Sequence, residues 1–166
     1  GTSSRDIGKG VVTDSSGNVY VAGNTKGGLD GNSNFGLEDI FVVKYNSIGT
    51  KKWTKQLGSS GSDVAYGVAT DSSGNVYVTG YTTGGLDGNT NSGSADFFLI
   101  KYNSSGTKQW TKQLGTSGSD AAYGVATDSS GYVYVTGNTL GGLDGNTNAG
   151  KDDIFVVKYN SDGVKQ

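Results

Sequence analysis

The octapeptide Gly10-Val11-Val12-Thr13-Asp14-Ser15-Ser16-Gly17 returns almost unchanged at Gly67 to Gly74 and at Gly124 to Gly131, 57 residues apart each time. Residues 67–109 and 124–166 are identical at 32 of 43 positions. Three copies of one unit confine the chain to architectures in which each unit packs on a sibling. The repeat therefore speaks to architecture first and to chemistry second.

Composition removes several function classes. Hydrophobic residues make up 33% of the chain and Gly numbers 30. Gly and Ser fall at regular intervals, as turns do, so disorder is not implied. Net charge is −2 and no basic stripe exists to neutralise phosphates, which argues against nucleic acid. No apolar run approaches the roughly 20 residues a membrane helix requires, so no membrane insertion is expected. Cys and His are absent. That excludes disulfides, a thiol nucleophile, a Ser-His-Asp triad and an ordinary zinc site.

The middle copy reads as strands and turns. Gly67 to Asp71 is a short strand candidate, and Asp71-Ser72-Ser73-Gly74-Asn75 a turn. Val76 to Thr82 is β-branched and aromatic, a second strand. A polar loop spans Thr83 to Ala95. Asp96 to Tyr102 is apolar on both faces, Asn103 to Gly106 turns, and Thr107 to Leu114 alternates like an edge strand. Four antiparallel strands per repeat predict an all-β chain of β-propeller blades. A β-helix is the competitor, with rungs usually shorter than four strands. The blades fall at residues 10–57, 67–114 and 124–166, the third lacking its outer strand. Lys44, Lys101 and Lys158 interrupt the apolar strands and are expected to snorkel or to pair with an acid.

The run Gly67 to Thr82, followed by Asp96 to Thr107 and by Trp110 to Gly115, resembles the bacterial SBBP β-propeller repeat along essentially the whole chain. The first two strands are also similar to the NHL-type blade. The resemblance implies blade architecture and a secreted or cell-surface bacterial setting.

A closed propeller typically has four to eight blades, so three cannot close alone. Exposed end faces predict a homo-oligomer or a place in a longer propeller chain.

Chemistry is best sought in the loop between the second and third strands. It carries Asp30, Asn32, Asn34 and Asp39 in the first copy, and Asp87, Asn89, Asn91 and Asp96 in the second. The third copy has Asp144, Asn146, Asn148 and Asp153. Oxygens at positions 1, 3, 5 and 10 suit a weak calcium site. The pattern resembles the calcium loops of EF hands and integrin-type propellers, although Gly stands at position 7. Asn, Asp and Gly also build Asx turns without any ion, and both readings stand here. In propeller topology this loop shares a face with the blade-to-blade connection, giving a rim of Asn, Asp, Ser and Thr that suits glycans. Tyr20, Tyr77 and Tyr134 are expected to pack between blades, and Trp53 and Trp110 to anchor the outer strands. With Glu38 the only Glu and the Asp residues repeating in turn positions, no asymmetric acid pair points to an enzyme. The expected role is structural or interaction work. The alternative is a multivalent lectin-like binder with one weak site per blade.

Overall fold

The computed structural model describes all 166 residues, and its regular structure is eleven β-strands in three antiparallel sheets with a short 3-10 turn in each blade. The first sheet is a meander of β1 (Asp6–Thr13), β2 (Val19–Thr25), β3 (Asp39–Tyr45) and β4 (Lys51–Leu57). The second repeats it with β5 (Asp63–Thr70), β6 (Val76–Thr82), β7 (Asp96–Tyr102) and β8 (Lys108–Leu114). The third holds β9 (Asp120–Thr127), β10 (Val133–Thr139) and β11 (Asp153–Tyr159). These are three blades, the last without its fourth strand. A single bridge between Tyr159 and Lys165 stands where that strand begins in the others.

The Asp-Ser-Ser-Gly-Asn turn closes each first hairpin through one carboxylate. Asp71 accepts from the amides of Ser73 (3.0 Å) and Asn75 (2.9 Å), the Asn75 side chain (2.8 Å) and the Tyr77 hydroxyl (3.0 Å). Asp14 repeats all four contacts. Burial raises the Asp14 pKa, and these donors together outweigh it, leaving the carboxyl below its ordinary value. Burial and the neighbouring Asp14 and Asp71 push Tyr20 and Tyr77 up.

The first strand of each blade starts earlier than its sequence suggests, at Asp63 rather than Gly67 in the middle copy. The reason is a bulge. Ala65 pairs with Gly80 and Gly67 with Thr79, so Tyr66 has no partner and the alternation breaks there. Lys9 and Tyr123 occupy the same place in β1 and β9. The bulge presses on the next strand: a Cβ on Gly80 would overlap the Val64 carbonyl oxygen.

Each blade has two different apolar faces, here called front and back. The back face of the first blade (Tyr20, Ala22, Ile40, Val42) packs on the front of the second, including Val76, Val78, Phe98, Ile100 and Tyr102. The back of the second (Tyr77, Phe97, Leu99) meets the front of the third (Val133, Val135, Phe155, Val157, Tyr159). Phe97 and Phe155 stack with ring centroids 4.7 Å apart. Back-to-front order thus holds at both junctions.

Polar tethers bind the same junctions. Thr70 Oγ1 donates to the Thr13 carbonyl at 3.1 Å and Thr127 Oγ1 to the Thr70 carbonyl at 2.9 Å, so the first strands lie side by side. At the outer edge Lys44 Nζ (3.0 Å) and Trp53 Nε1 (3.4 Å) both donate to the Ser104 carbonyl of the next blade. Lys101 and Trp110 do the same to Ser161. Lys44 and Lys101 therefore neither point freely to solvent nor meet an acid. They lie over Tyr20 and Tyr77 and reach across to the neighbour. Trp53 lies against Gly106, where φ is +82° and any Cβ would press on the indole.

Candidate functional site

The loop between the second and third strands and the blade-to-blade connection do meet at one end of the array. Leu37 N donates to the Gly61 carbonyl (3.0 Å) and Asp63 N to the Glu38 carbonyl (2.7 Å). Glu38 and Ser62 form a parallel bridge, repeated by Ala95 and Ser119. This end is the candidate rim.

The loop uses its oxygens one by one. Each Asp of the Leu-Asp-Gly turn has positive φ, 50° at Asp30, 56° at Asp87 and 58° at Asp144. That conformation aims the carboxylate at the fourth strand. Asp30 accepts from Lys51 Nζ (2.6 Å) and Thr54 Oγ1 (2.5 Å). Asp87 pairs with Lys108 and Asp144 with Lys165. The lysine and threonine contacts hold the Asp30 carboxyl below its usual range. Asn32, Asn89 and Asn146 turn their amides back to the carbonyls of Leu29, Leu86 and Leu143. Asn34 and Asn91 cap Gly36 and Gly93, and Asn148 reaches the carbonyls of Thr139 and Lys151.

Asp39 and Asp96 lie apart from this exposed set, fully buried at the blade junction. Asp39 accepts from Phe35 N and Gln56 Nε2, both at 2.9 Å. Asp96 accepts equally from Ser92 N and Gln113 Nε2. Asp153, half-buried, accepts from Ala149 N at 2.6 Å. The four expected ligands of each loop thus take separate partners, and no three acids gather at one point.

Gln56 and Gln113 are the residues that the sequence reading missed. The fourth strand reads as polar alternation facing solvent, yet Gln113 turns inward. Its amide nitrogen donates to the carbonyls of Gly84 (3.1 Å) and Thr90 (3.4 Å) and to Asp96, while its oxygen accepts from Leu86 N (2.9 Å). One side chain thereby ties both ends of the loop. The signal was a fixed separation of 17 residues between this Gln and the loop Asp, present twice.

Beneath the rim, Asp63 sits fully buried and accepts from Ser59 N (2.6 Å), Ser59 Oγ and Thr82 Oγ1. Burial outweighs these donors and raises its pKa above the ordinary carboxylate value. Along the inner edge the bulge residues gather. Lys9 Nζ lies 4.3 Å from the Tyr66 ring centroid, and Tyr66 is 5.1 Å from Tyr123 and 6.0 Å from Tyr81. Burial raises the pKa of both Tyr81 and Tyr123. These are positions where the copies differ, as Lys, Tyr, Tyr and as Asn24, Tyr81, Asn138. Tyr20 and Tyr77, by contrast, are buried between blades, as expected.

A model of the SBBP β-propeller repeat matches residues 1–30, 52–87 and 109–144, more than half of the chain. Each match runs from the outer strand or connection through the first hairpin into the rim loop. An uncharacterized WD repeat-containing protein, L264, of Acanthamoeba polyphaga mimivirus is 30% identical over 166 residues, covering 76% of this chain and 12% of the relative. The regulatory protein FlaEY of Caulobacter vibrioides is 28% identical over 172 residues, covering 93% of this chain and 18% of the relative. The chain spans less than a fifth of the length of either.

Proposed function

The chain belongs to the SBBP β-propeller repeat family, and from that premise we propose that it works as an interaction scaffold rather than as an enzyme. Its blades stack on sibling blades, of other copies or of a longer chain, and hold a polar rim outward for contact. We place it at the bacterial cell surface or outside the cell, the setting that the family resemblance implies. The observation that carries the reading is the open apolar back of the third blade. On the first blade's front, by contrast, Leu29, Phe41 and Val43 are buried beside the half-buried Val21 and Tyr45 without another blade over them. On the third blade's back, Ile154 is 91% exposed and Val156 69%. Apolar surface of this extent is a contact surface.

Sedimentation velocity across a concentration series tests this. The expected result is a species heavier than the 17.0 kDa chain at micromolar concentration, dissociating on dilution. A monomer at every concentration would overturn the scaffold reading for this chain.

A lectin-like role is the second reading, favoured by the Tyr66, Tyr81 and Tyr123 cluster, where Tyr123 is 52% exposed. Ring faces of this kind stack on sugars. Calcium in the rim loops would be weak and would have to displace the lysines from Asp30, Asp87 and Asp144.

A further inference from the structure

We infer that the groove between the outer edges of the first and second blades binds an acidic saccharide, a uronic acid unit whose carboxylate meets Lys55 and whose ring rests against Leu57. This rests on the lectin-like reading and gives it a ligand class and a place away from the inner tyrosines.

Both walls of the groove lie inside the chain, on two complete blades. One wall is β4, where Trp53 and Leu57 pack toward the second blade and Lys55 stands between them. The other is the front of the second blade, where Tyr102 ends β7 and Gly106 and Thr107 lead into Lys108 at the start of β8. The cavity between them has a volume of about 360 Å³, and Asn32 of the rim loop also lines it. Sites for small molecules run from roughly 300 to 1,000 Å³. Gly106 shapes the groove: its φ is +82°, and a Cβ there would press on the Trp53 indole and on Lys55 Cε. The lysine stem thus packs against the turn that forms the opposite wall.

Two polar groups of the groove have no partner in the chain. Tyr102 is 3% exposed, and its hydroxyl makes no hydrogen bond. Burial, with Asp87 adding to it, pushes its pKa up, so the hydroxyl stays protonated and able to donate. A hydroxyl this deep ordinarily has an acceptor, and the groove is where one can reach it. Lys55 is the second group. Lys51 on the same strand takes Asp30, and Lys108 across the groove takes Asp87, whereas Lys55 meets no acid. The groove therefore carries an uncompensated positive charge in a chain of net charge −2.

An ammonium beside a neutral donor selects a carboxylate. A small carboxylate alone would leave most of the cavity unfilled. Leu57 and the lysine stem offer an apolar strip to ring C–H groups. Thr107 and Asn32 serve sugar hydroxyls, Asn32 with its amide oxygen, since its nitrogen donates to the Leu29 carbonyl. A uronic acid has this make-up: one carboxylate, several hydroxyls and an apolar ring face.

The next junction repeats the arrangement. Lys112, Leu114, Tyr159 and Lys165 stand 57 residues beyond Lys55, Leu57, Tyr102 and Lys108. A Cβ on Gly163 would press on Lys112 Cε and Trp110, as at Gly106. Tyr159 is buried, its pKa pushed up to about 12 by burial and by Asp144. Val164 replaces Thr107, so this groove lacks one hydroxyl and should bind more weakly. Two such grooves on one edge suit a polymer of acidic units.

The test is a titration of the intact, isotope-labelled chain with glucuronic acid, followed by amide NMR shifts. Shifts should gather at Lys55, Gly106 and Thr107. Lys55→Gln should weaken binding about tenfold and Tyr102→Phe about threefold, the shares of a charged and a neutral hydrogen bond. Lys51→Gln should leave binding unchanged. All three variants should melt close to the parent, because the stems and the buried ring are kept. Glucose and acetate should each bind at least about tenfold more weakly than glucuronic acid, lacking the charge or the ring. Equal binding of glucose or of acetate, or indifference to Lys55→Gln, overturns the site. Shifts at Tyr66, Tyr81 and Tyr123 instead overturn the groove and leave the lectin-like reading standing. A chain that binds neither glucuronic acid nor any member of a glycan array overturns both.

Discussion

Leu99 in the middle blade and Val156 in the third occupy the same place on the same strand, 57 residues apart, yet the first is 0% exposed and the second 69%. Phe97 and Ile154 differ the same way, 0% against 91%. Strand pairing is the same at both places, Leu99 opposite Thr79 and Val156 opposite Thr136. What changes is whether a further blade comes next. The sheet is specified within the repeat, whereas burial is conferred by the neighbour, so one residue type serves as core in one copy and as contact surface in another.

The comparison breaks if the two positions respond alike. Leu99→Ala should cost about 3 kcal/mol, as large-to-small changes in a packed core do. Val156→Ala should stay within about 0.5 kcal/mol in the monomer, since most of the side chain is exposed. Urea unfolding of both variants below the association range measures the contrast, and equal losses would show that the third blade's back face is covered in the isolated chain.

The rim loops offer a smaller contrast. The middle loop is tied at both ends by Gln113, while the third loop has no glutamine from a fourth strand. Removing the tie with Gln113→Ala should cost about 1–2 kcal/mol, because it takes one of two donors from the buried Asp96 carboxylate and leaves the Leu86 amide without its acceptor. Hydrogen exchange should then quicken at the Leu86 amide toward the rate at Leu143, which donates only to the nearby Gly141 carbonyl. Unchanged exchange at Leu86 would show that the loop holds itself.

Smallest of all is the expected response to calcium. Each Leu-Asp-Gly carboxylate already carries a lysine, at Lys51, Lys108 and Lys165. Millimolar calcium should therefore shift the melting temperature by less than about 1 °C, in keeping with weak sites. A rise of several degrees would mean that the ion displaces those lysines and draws the loop oxygens together.

Much of the blade was legible in the sequence, and its failures have local causes. The second and third strands read true because β-branched and aromatic residues alternate across a pleat that pairs without interruption from Val76 to Thr82. The first strand was cut short because the extra residue at Tyr66 shifts the alternation by one, so Asp63-Val64-Ala65 is out of phase with Gly67 to Thr70. Spacing suggested that Asp30, Asn32 and Asn34 face one centre. Counting residues assumes a regular backbone, and the positive φ at Asp30 sends its carboxylate to Lys51 instead, 21 residues on. Gln56 escaped notice because an amide on an outer strand looks solvated until its partner loop is folded over it.

The two-sidedness of the blade bears on how such a chain can change length over generations. Because every unit offers one kind of surface behind and the opposite kind ahead, unequal recombination that inserts or deletes a whole 57-residue segment leaves both termini of the array chemically as they were. Gene copying can thus lengthen or shorten the protein in whole modules, with no newly evolved joint required at the splice.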